Sequence, residues 1–333
     1  MRPLAIGILG AARITPPALI DPAAHTGDRL VAVAARDRSR SEEFATEHGI
    51  GRVHETYQDV IDDPDVEVIY NPLPNGLHGP WNLRALAAGK HVLSEKPSAS
   101  TGEEALRVHE AVQASGVRFM EAFHYRHHPV IGRMLELAGN GEIGEVEHVE
   151  VVMGFPLDNP ADPRWDFDLA GGAMMDLGCY ALHGLRTLGT ALGGEPEVRA
   201  ATAIPRESDP RVDAELSADL GFPSGATAHF RSSFVLPEMT FTMHIRGSTG
   251  EALAHNFVVA ALDNRITVVS GGERVVEHHG DKTTYTYQLE AFGRHVLDGE
   301  EIPTDSADAL TQARLIDQCY EAAGLPLRPV TAL

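Results

Sequence analysis

At 333 residues, 43% of them hydrophobic, the chain is long enough for two domains with ordinary cores. Its 27 lysines and arginines against 48 aspartates and glutamates leave a net charge of −21, which repels nucleic-acid phosphates and anionic lipid surfaces, and no Lys/Arg run relieves that repulsion locally. Two cysteines make no disulfide framework and suit a reducing cytoplasm, and no segment has the length and apolarity of a membrane span.

Leu4–Gly10 is a short apolar run of the kind shown by a parallel strand covered on both faces. It leads into Gly10-Ala11-Ala12-Arg13-Ile14-Thr15, the place of the glycine-rich turn that precedes a helix in dinucleotide-binding folds. Only the first fingerprint glycine is present, as Gly10; Ala12 and Thr15 take the other two places and are small enough for close backbone approach. Taken alone, this turn reads nearly as well as a plain strand-to-helix connection. Context favours the nucleotide reading, because Leu30–Ala35 is a second strand and a helical stretch follows from Ser39 to Gly49. Strand, turn, helix and strand within about thirty residues make a βαβ unit.

The end of that second strand bears on cofactor choice. An NAD site places a carboxylate there for the ribose 2′-hydroxyl, whereas an NADP site offers an arginine to the 2′-phosphate. Small Ala35 is followed by Arg36, with Arg13 and Arg38 as helpers, so NADP is expected over NAD. Two alternatives stay open: Arg36 as a solvated charge paired with Asp37, and Asp37 itself reaching the ribose.

Val66–Tyr70 is the next strand, with a loop over Asn71–His78 at its C-terminal end and a helix over 79–88. The apolar run Val92-Leu93-Ser94 then ends abruptly in Glu95-Lys96-Pro97. Pro97 lacks an N–H and restricts Lys96 to extended backbone, so the strand cannot pass straight into a helix. A lysine is thereby held at a rigid strand end, where an α/β sheet meets its ligand. For an arbitrary Glu-Lys-Pro, a surface loop lysine is the competing reading. A helix near 102–114 and a strand over 117–121 complete this half, and a Rossmann dinucleotide-binding domain is expected over residues 1–122.

From Gly144 onward the pattern changes to alternating runs, at 146–151, 214–220, 227–231, 239–246, 251–258, 264–270 and 273–279. Period-two alternation in consecutive strands predicts an antiparallel sheet with one covered face. Its other face is expected to meet a second copy of the chain or a covering helix. A last helix spans Asp305 to Ala323, opened by an Asp/Ser cap signal and closed by Gly324 before Pro326. Residues 123–333 therefore read as an α+β substrate-binding and oligomerisation domain with a large, mostly antiparallel open-faced sheet, its helix 305–323 packing back on the first domain.

Three stretches carry a family resemblance: Gly7-Ile8-Leu9-Gly10-Ala11-Ala12, Ala88-Gly89-Lys90-His91-Val92-Leu93-Ser94-Glu95-Lys96-Pro97, and Gly171-Gly172-Ala173-Met174-Met175-Asp176-Leu177-Gly178-Cys179-Tyr180. With them, nearly the whole chain resembles the glucose–fructose oxidoreductase, inositol dehydrogenase and rhizopine-catabolism dehydrogenase family (Gfo/Idh/MocA). Within it the chain looks most like the branch of dimeric dihydrodiol dehydrogenases, sugar 1-dehydrogenases and glucose–fructose oxidoreductase. Many members carry histidine where this chain has Tyr180, which argues against transferring an inositol-type Asp/His mechanism.

The third stretch also reads physically. Gly171-Gly172 offers a flexible turn, and Ala173–Leu188 has helical spacing, so Asp176 and Tyr180, four apart, share a face that His183 also meets. A free tyrosine titrates near about 10 and is a poor base at neutral pH. A nearby ammonium favours the phenolate, and a drop of about three units needs roughly 4 kcal/mol of differential interaction. Lys96 is the expected supplier, with Tyr180 exchanging a proton with the substrate oxygen. A packed helix tyrosine with its hydroxyl satisfied, and an Asp176 that merely caps or pairs, are the structural alternatives.

In Glu121–Pro129 three histidines within five residues invite a metal, but the spacing is no zinc signature and no metal is expected. The resemblance instead implies that Arg126 binds substrate oxygens where the chain leaves the cofactor domain. Arg164 and Trp165 offer a guanidinium and an aromatic face to a sugar, or else pack a loop. Asn75 and His78, at a strand's C-terminal end, are expected to line the nicotinamide pocket beside Glu95 and Lys96, as Gly10, Ala12, Arg13 and Ile14 line the dinucleotide turn.

The sum is a cytoplasmic, NADP-preferring oxidoreductase of sugar metabolism acting on a sugar, a sugar derivative or a vicinal diol. A homodimer or homotetramer through the second-domain sheet is expected, with no nucleic-acid or membrane partner. The rivals are a non-catalytic NAD(P)-binding sensor on the same fold and an enzyme that retains its cofactor through oxidation and re-reduction.

Overall fold

The computed structural model describes residues 2–332, which divide into two units. Of the described residues, the first takes those up to 123, 285–313 and those from 330 on, and the second takes 124–284 and 314–329.

In the first unit β1 (Ala5–Leu9), α1 (Asp21–Thr26), β2 (Arg29–Ala34), α2 (Arg38–His48), β3 (Arg52–Val53), α3 (Tyr57–Asp62), β4 (Val68–Asn71), α4 (His78–Ala87), β5 (His91–Ser94), α5 (Gly102–Ser115) and β6 (Phe119–Glu121) follow in order. The strands form an all-parallel sheet of order β3-β2-β1-β4-β5-β6. β1, β4 and β6 are buried along their whole length, as strands covered on both faces require. One face buries Ile6, Ile8, Val33, Val68, Tyr70 and Leu93, and the other Leu9, Ala32, Ile69, Val92 and Phe119. Gly7 has no side chain because a Cβ there would press on Val60 and Val66, at 2.7 and 2.9 Å.

The second unit holds α6 (Pro129–Gly139), β7 (Val146–Gly154), α7 (Cys179–Thr187), β8 (Glu197–Arg206), β9 (Asp209–Gly221), β10 (Thr227–Ser233), β11 (Thr240–Gly247), β12 (Gly250–Ala254), β13 (Arg265–Ser270) and β14 (Glu273–His278). Its sheet has order β14-β13-β12-β11-β7-β10-β9-β8; the β7–β10 pair is parallel and every other pair antiparallel. Val149, Val151, Met153, Phe230, Met243 and Ile245 line the buried face. The opposite face is polar: His244, Glu150, His229 and Asp219 stand in one row across four strands. Strand β8 was not anticipated from the sequence.

Helix α8 (Thr284–Asp298) was not anticipated either; its Leu289, Ala291 and Phe292 complete the first unit's core on the Ile6–Ile8 face. The expected terminal helix is α9 (Ser306–Ala322), whose residues through Ala313 belong to the first unit and the remainder to the second. Both cysteines are buried and neither forms a disulfide, and no described helix is long and apolar enough to cross a membrane.

Candidate active site

In the first unit the strand order reverses between β1 and β4, and the crevice outside the strand ends at such a point is where dinucleotides bind. Gly10 leaves β1 with φ +97°, and a Cβ there would sit 3.2 Å from Leu73 in the loop after β4. The glycine is needed for the turn and for the close approach. Ala11 offers its carbonyl to Arg40 at 2.7 Å, Arg13 and Ile14 are exposed, and Ala12 is half-buried. The Thr15 hydroxyl is buried without a hydrogen-bond partner among the described residues, a polar atom left unmet in this turn. An open backbone at Gly10 and an unmet hydroxyl nearby fit a dinucleotide.

At the end of β2, Arg36, Arg38 and Arg40 are all exposed. Asp37 is the N-cap of α2: one oxygen accepts from the Ser39 N–H at 2.9 Å and the Ser39 hydroxyl at 2.7 Å. The Ser39 hydroxyl and the two backbone donors hold its carboxyl below the usual range. Arg38 pairs with Glu42 and Glu55, so of the two residues named for a 2′-phosphate after β2, Arg36 is the less engaged.

Lys96 is the one lysine of three that is buried, with 9% of its surface exposed, and the Lys96–Pro97 bond is cis. A lattice of buried polar side chains holds its loop. Asn82 donates to Ser94 Oγ at 2.9 Å and to the Ser98 carbonyl at 3.1 Å, while accepting from Asn71 at 2.9 Å. Glu121 accepts from the Ser98 N–H at 2.6 Å, and Glu104 from the Ser100 N–H at 2.7 Å. Glu104 fits because Gly79 has no Cβ to collide with it. Glu95 accepts the Tyr70 hydroxyl at 2.9 Å.

His78 bridges two of these loops, with Nδ1 at 2.7 Å from the Pro97 carbonyl and Nε2 at 2.6 Å from that of Leu73. Full burial lowers its pKa to about 4, assisted by the Lys96 charge, although both carbonyls pull the other way. Beside Lys96 the ring is neutral at ordinary pH and so donates to one of the two carbonyls, bonding both only when protonated. Asn75 begins the short 3-10 turn just ahead of it.

In the second unit Tyr180 sits in the first turn of α7 with 6% of its surface exposed, its ring against His124 at 5.6 Å and Tyr125 at 6.0 Å. His124 bonds the Thr284 hydroxyl at 2.7 Å, and the His128 ring caps α6, so two of the three clustered histidines have local structural partners. Among the described residues no group of three or more His, Cys, Asp or Glu is arranged to hold a metal. His183 is buried and meets the Tyr125 hydroxyl at 2.6 Å, which makes it a support for Tyr125. Arg126 is half-buried in the His124–His127 turn.

Asp176 pairs with Arg164 at 2.8 Å, and Arg164 also reaches Asp162 at 3.5 Å. These carboxylates, Asp176 foremost, raise the guanidinium's pKa. Trp165 is taken into packing between Phe234, at 5.0 Å, and the Arg206 guanidinium, at 4.8 Å.

Two features differ from the sequence reading. Residues Met174–Gly178 form a π turn before α7 begins, so the start of the Asp176–Tyr180 segment is not α-helical. The Gly171-Gly172 turn is closely packed: Gly171 N–H bonds the Asp166 carbonyl at 2.8 Å, Gly172 N–H bonds that of Arg164 at 2.9 Å, and a Cβ on either glycine would collide with its surroundings. These glycines are there for lack of room. An open cavity of about 550 Å³ lies elsewhere in this unit, lined by His128, Leu262, Arg265, His278 and Lys282, and holds none of the anticipated site residues.

Residues 4–123 match the family model described as the oxidoreductase family, NAD-binding Rossmann fold, and residues 131–253 match the GFO/IDH/MocA C-terminal domain. The chain is 36% identical over 322 residues to D-xylose 1-dehydrogenase (NADP(+)) 2 of Haloferax volcanii, covering 95% of this chain and 96% of that protein. It is 33% identical over 225 residues to trans-1,2-dihydrobenzene-1,2-diol dehydrogenase of Mus musculus, covering 67% and 66%. Among solved structures, a 3-ketoreductase from Actinomadura kijaniata in complex with NADP and TDP-benzene aligns with a TM-score of 0.89 at 28% identity, over 96% of this chain and 98% of that one. The two family models together span most of both units, and the chain belongs to the Gfo/Idh/MocA family of oxidoreductases.

Proposed function

We propose that this protein is an NADP-dependent oxidoreductase acting on a CH–OH group of a sugar, a sugar derivative or a vicinal diol. One observation carries the cofactor choice: the carboxylate nearest the end of β2 is committed to capping α2, leaving Arg36 exposed beside it for a 2′-phosphate. Relatives named as an NADP(+) xylose dehydrogenase and a dihydrodiol dehydrogenase support the substrate class. Residues 1–123 with 285–313 serve as the cofactor domain, and the sheet unit as the substrate domain.

Bound NADP supplies the nicotinamide carbon that accepts or returns a hydride. Gly10, Ala12, Arg13, Ile14 and Arg36 hold the dinucleotide, and Asn75, His78, Glu95 and Lys96 line its reactive end. Tyr180 takes the hydroxyl proton in oxidation and gives it to the carbonyl oxygen in reduction. Its phenol needs a positive charge to work at neutral pH, and Lys96 is assigned that role. Asp176 orients Arg164, which with Arg126 binds substrate oxygens, while Trp165 and His183 shape the walls around them. Structures of the Actinomadura relative with a tyrosine or a lysine replaced point to the same two residue types. The polar face of the sheet is assigned to a second copy of the chain, in a cytoplasmic homodimer or homotetramer.

The test uses Tyr180→Phe and Lys96→Met with an aldose and polyol panel. Both variants should keep NADPH binding by fluorescence titration and lose turnover by at least about a hundredfold, the scale of positioned acid–base chemistry. Wild-type turnover in either would refute its assignment. The aldose–aldose oxidoreductase of Caulobacter crescentus, aligned at TM-score 0.87 and 28% identity over 97% of this chain and 98% of that one, favours a second reading in which the nucleotide stays bound between half-reactions. Native mass spectrometry of the purified protein distinguishes the two.

A further inference from the structure

We propose that Asp213 and Arg328 are positioning residues for Tyr180, a buried ion pair that sets where the tyrosine-bearing helix begins; the proposal rests on the reading of Tyr180 as acid/base. Asp213 lies in β9 and Arg328 in the segment after α9, and both are buried. They form a direct ion pair.

Most of the pair's remaining hydrogen-bonding capacity is spent on backbone. Asp213 Oδ2 accepts from the Met174 N–H at 2.6 Å, and Oδ1 accepts from Arg328 and from the Tyr320 hydroxyl, the latter at 3.1 Å. Arg328 Nε donates to the Gly171 carbonyl at 2.7 Å, and Nη1 to the carbonyls of Arg211 at 3.1 Å and Pro326 at 3.0 Å. The guanidinium face lies over the Tyr320 ring at 4.0 Å. Gly172, with φ +132°, has no room for a Cβ against Asp213 and Arg328. Three points in a four-residue stretch, the Gly171 carbonyl, the Gly172 Cα and the Met174 N–H, are thus fixed by one pair.

That stretch opens directly into the π turn and α7. A carboxylate on the first N–H groups of a helix satisfies an orphan donor and complements the helix dipole. Downstream the path stays tight, since a Cβ on Gly178 would press on Met174 Sδ at 2.5 Å and Ser232 Oγ at 2.9 Å. A displacement at Met174 therefore carries through to Tyr180, six residues on. Buried ion pairs contribute little net stability compared with apolar residues of the same size, so geometric definition is the gain to look for here.

Arg328→Lys keeps a charge against Asp213 but loses the fork that reaches Gly171 and Arg211. We expect kcat lowered about tenfold to a hundredfold, as for a misplaced reacting group, with NADPH titration unchanged. The limb of the pH–rate profile belonging to Tyr180 should move, and hydrogen exchange across residues 172–180 should quicken. Asp213→Asn should do the same more strongly, and if it fails to fold, Arg328→Lys carries the test. A folded variant with faster exchange but unaltered kcat and pH profile shows a merely structural pair and overturns the proposal, as does unchanged exchange. Should Tyr180→Phe retain full turnover, the acid/base reading falls on that result, and hydrogen exchange judges the clamp separately.

Discussion

Asn82 offers the sharpest test of the loop that carries Lys96. Replacing it with Leu keeps its approximate volume and removes three hydrogen bonds, to Asn71, Ser94 and Ser98. At about 1 kcal/mol net for each bond, the loss is about 3 kcal/mol. Asn71 keeps the His78 carbonyl at 3.2 Å, and Ser94 Oγ keeps the Glu95 carbonyl at 3.0 Å, which holds the loss near that figure. The Ser98 carbonyl keeps no other partner among the described residues and pushes the cost upward. Against a total of about 5–15 kcal/mol the variant still folds. Urea unfolding followed by two probes, to check that the transition is single, reads the change. Asn82→Asp retains the shape but turns donors into acceptors facing the Ser98 carbonyl, so it should fall at least as far. A loss below about 1 kcal/mol in both would refute the claim that buried hydrogen bonding holds this segment.

Stability should also depend on pH through His78. Its folded pKa of about 4 lies below the ordinary 6.5, so the unfolded chain binds more protons between those values and stability rises with pH. The contribution is complete above pH 6.5 and is lost as pH falls toward 4, by about 3 kcal/mol in all. Unfolding midpoints of wild type and His78→Gln across this range should converge as the pH falls; a constant gap would rule the effect out. In a separate experiment, Arg36→Glu should weaken NADPH at least about tenfold while sparing NADH, since a charge-assisted phosphate contact is lost. An unaltered NADPH/NADH ratio by fluorescence titration would remove Arg36 from the cofactor site.

The α/β half was readable because its strands are short, mostly apolar and alternate with helices. Lys96 stood out through Pro97 and its place at a strand end in a nucleotide-binding half, without knowledge of the Asn82, Glu104 and Glu121 side chains that hold its loop. α8 escaped because Thr284-Tyr285-Thr286-Tyr287 alternates β-branched and aromatic residues as a strand would, and its helical character comes from burying Leu289 and Phe292. Arg164 and Trp165 were singled out by chemistry suited to a sugar, but their partners, Asp176 for one and Phe234 for the other, depend on loops meeting in space.

Periodicity, turn chemistry and three short motifs were enough for the two kinds of sheet, the order of most elements and the family, since each rests on residues close together in the chain. The close packing of Gly171-Gly172, the buried brace at His78 and the Asp213–Arg328 pair were not readable there. They rest on which segments the fold packs together, Gly172 against Asp213 and Arg328 and His78 against Pro97, and on burial, which exists only once the chain has folded.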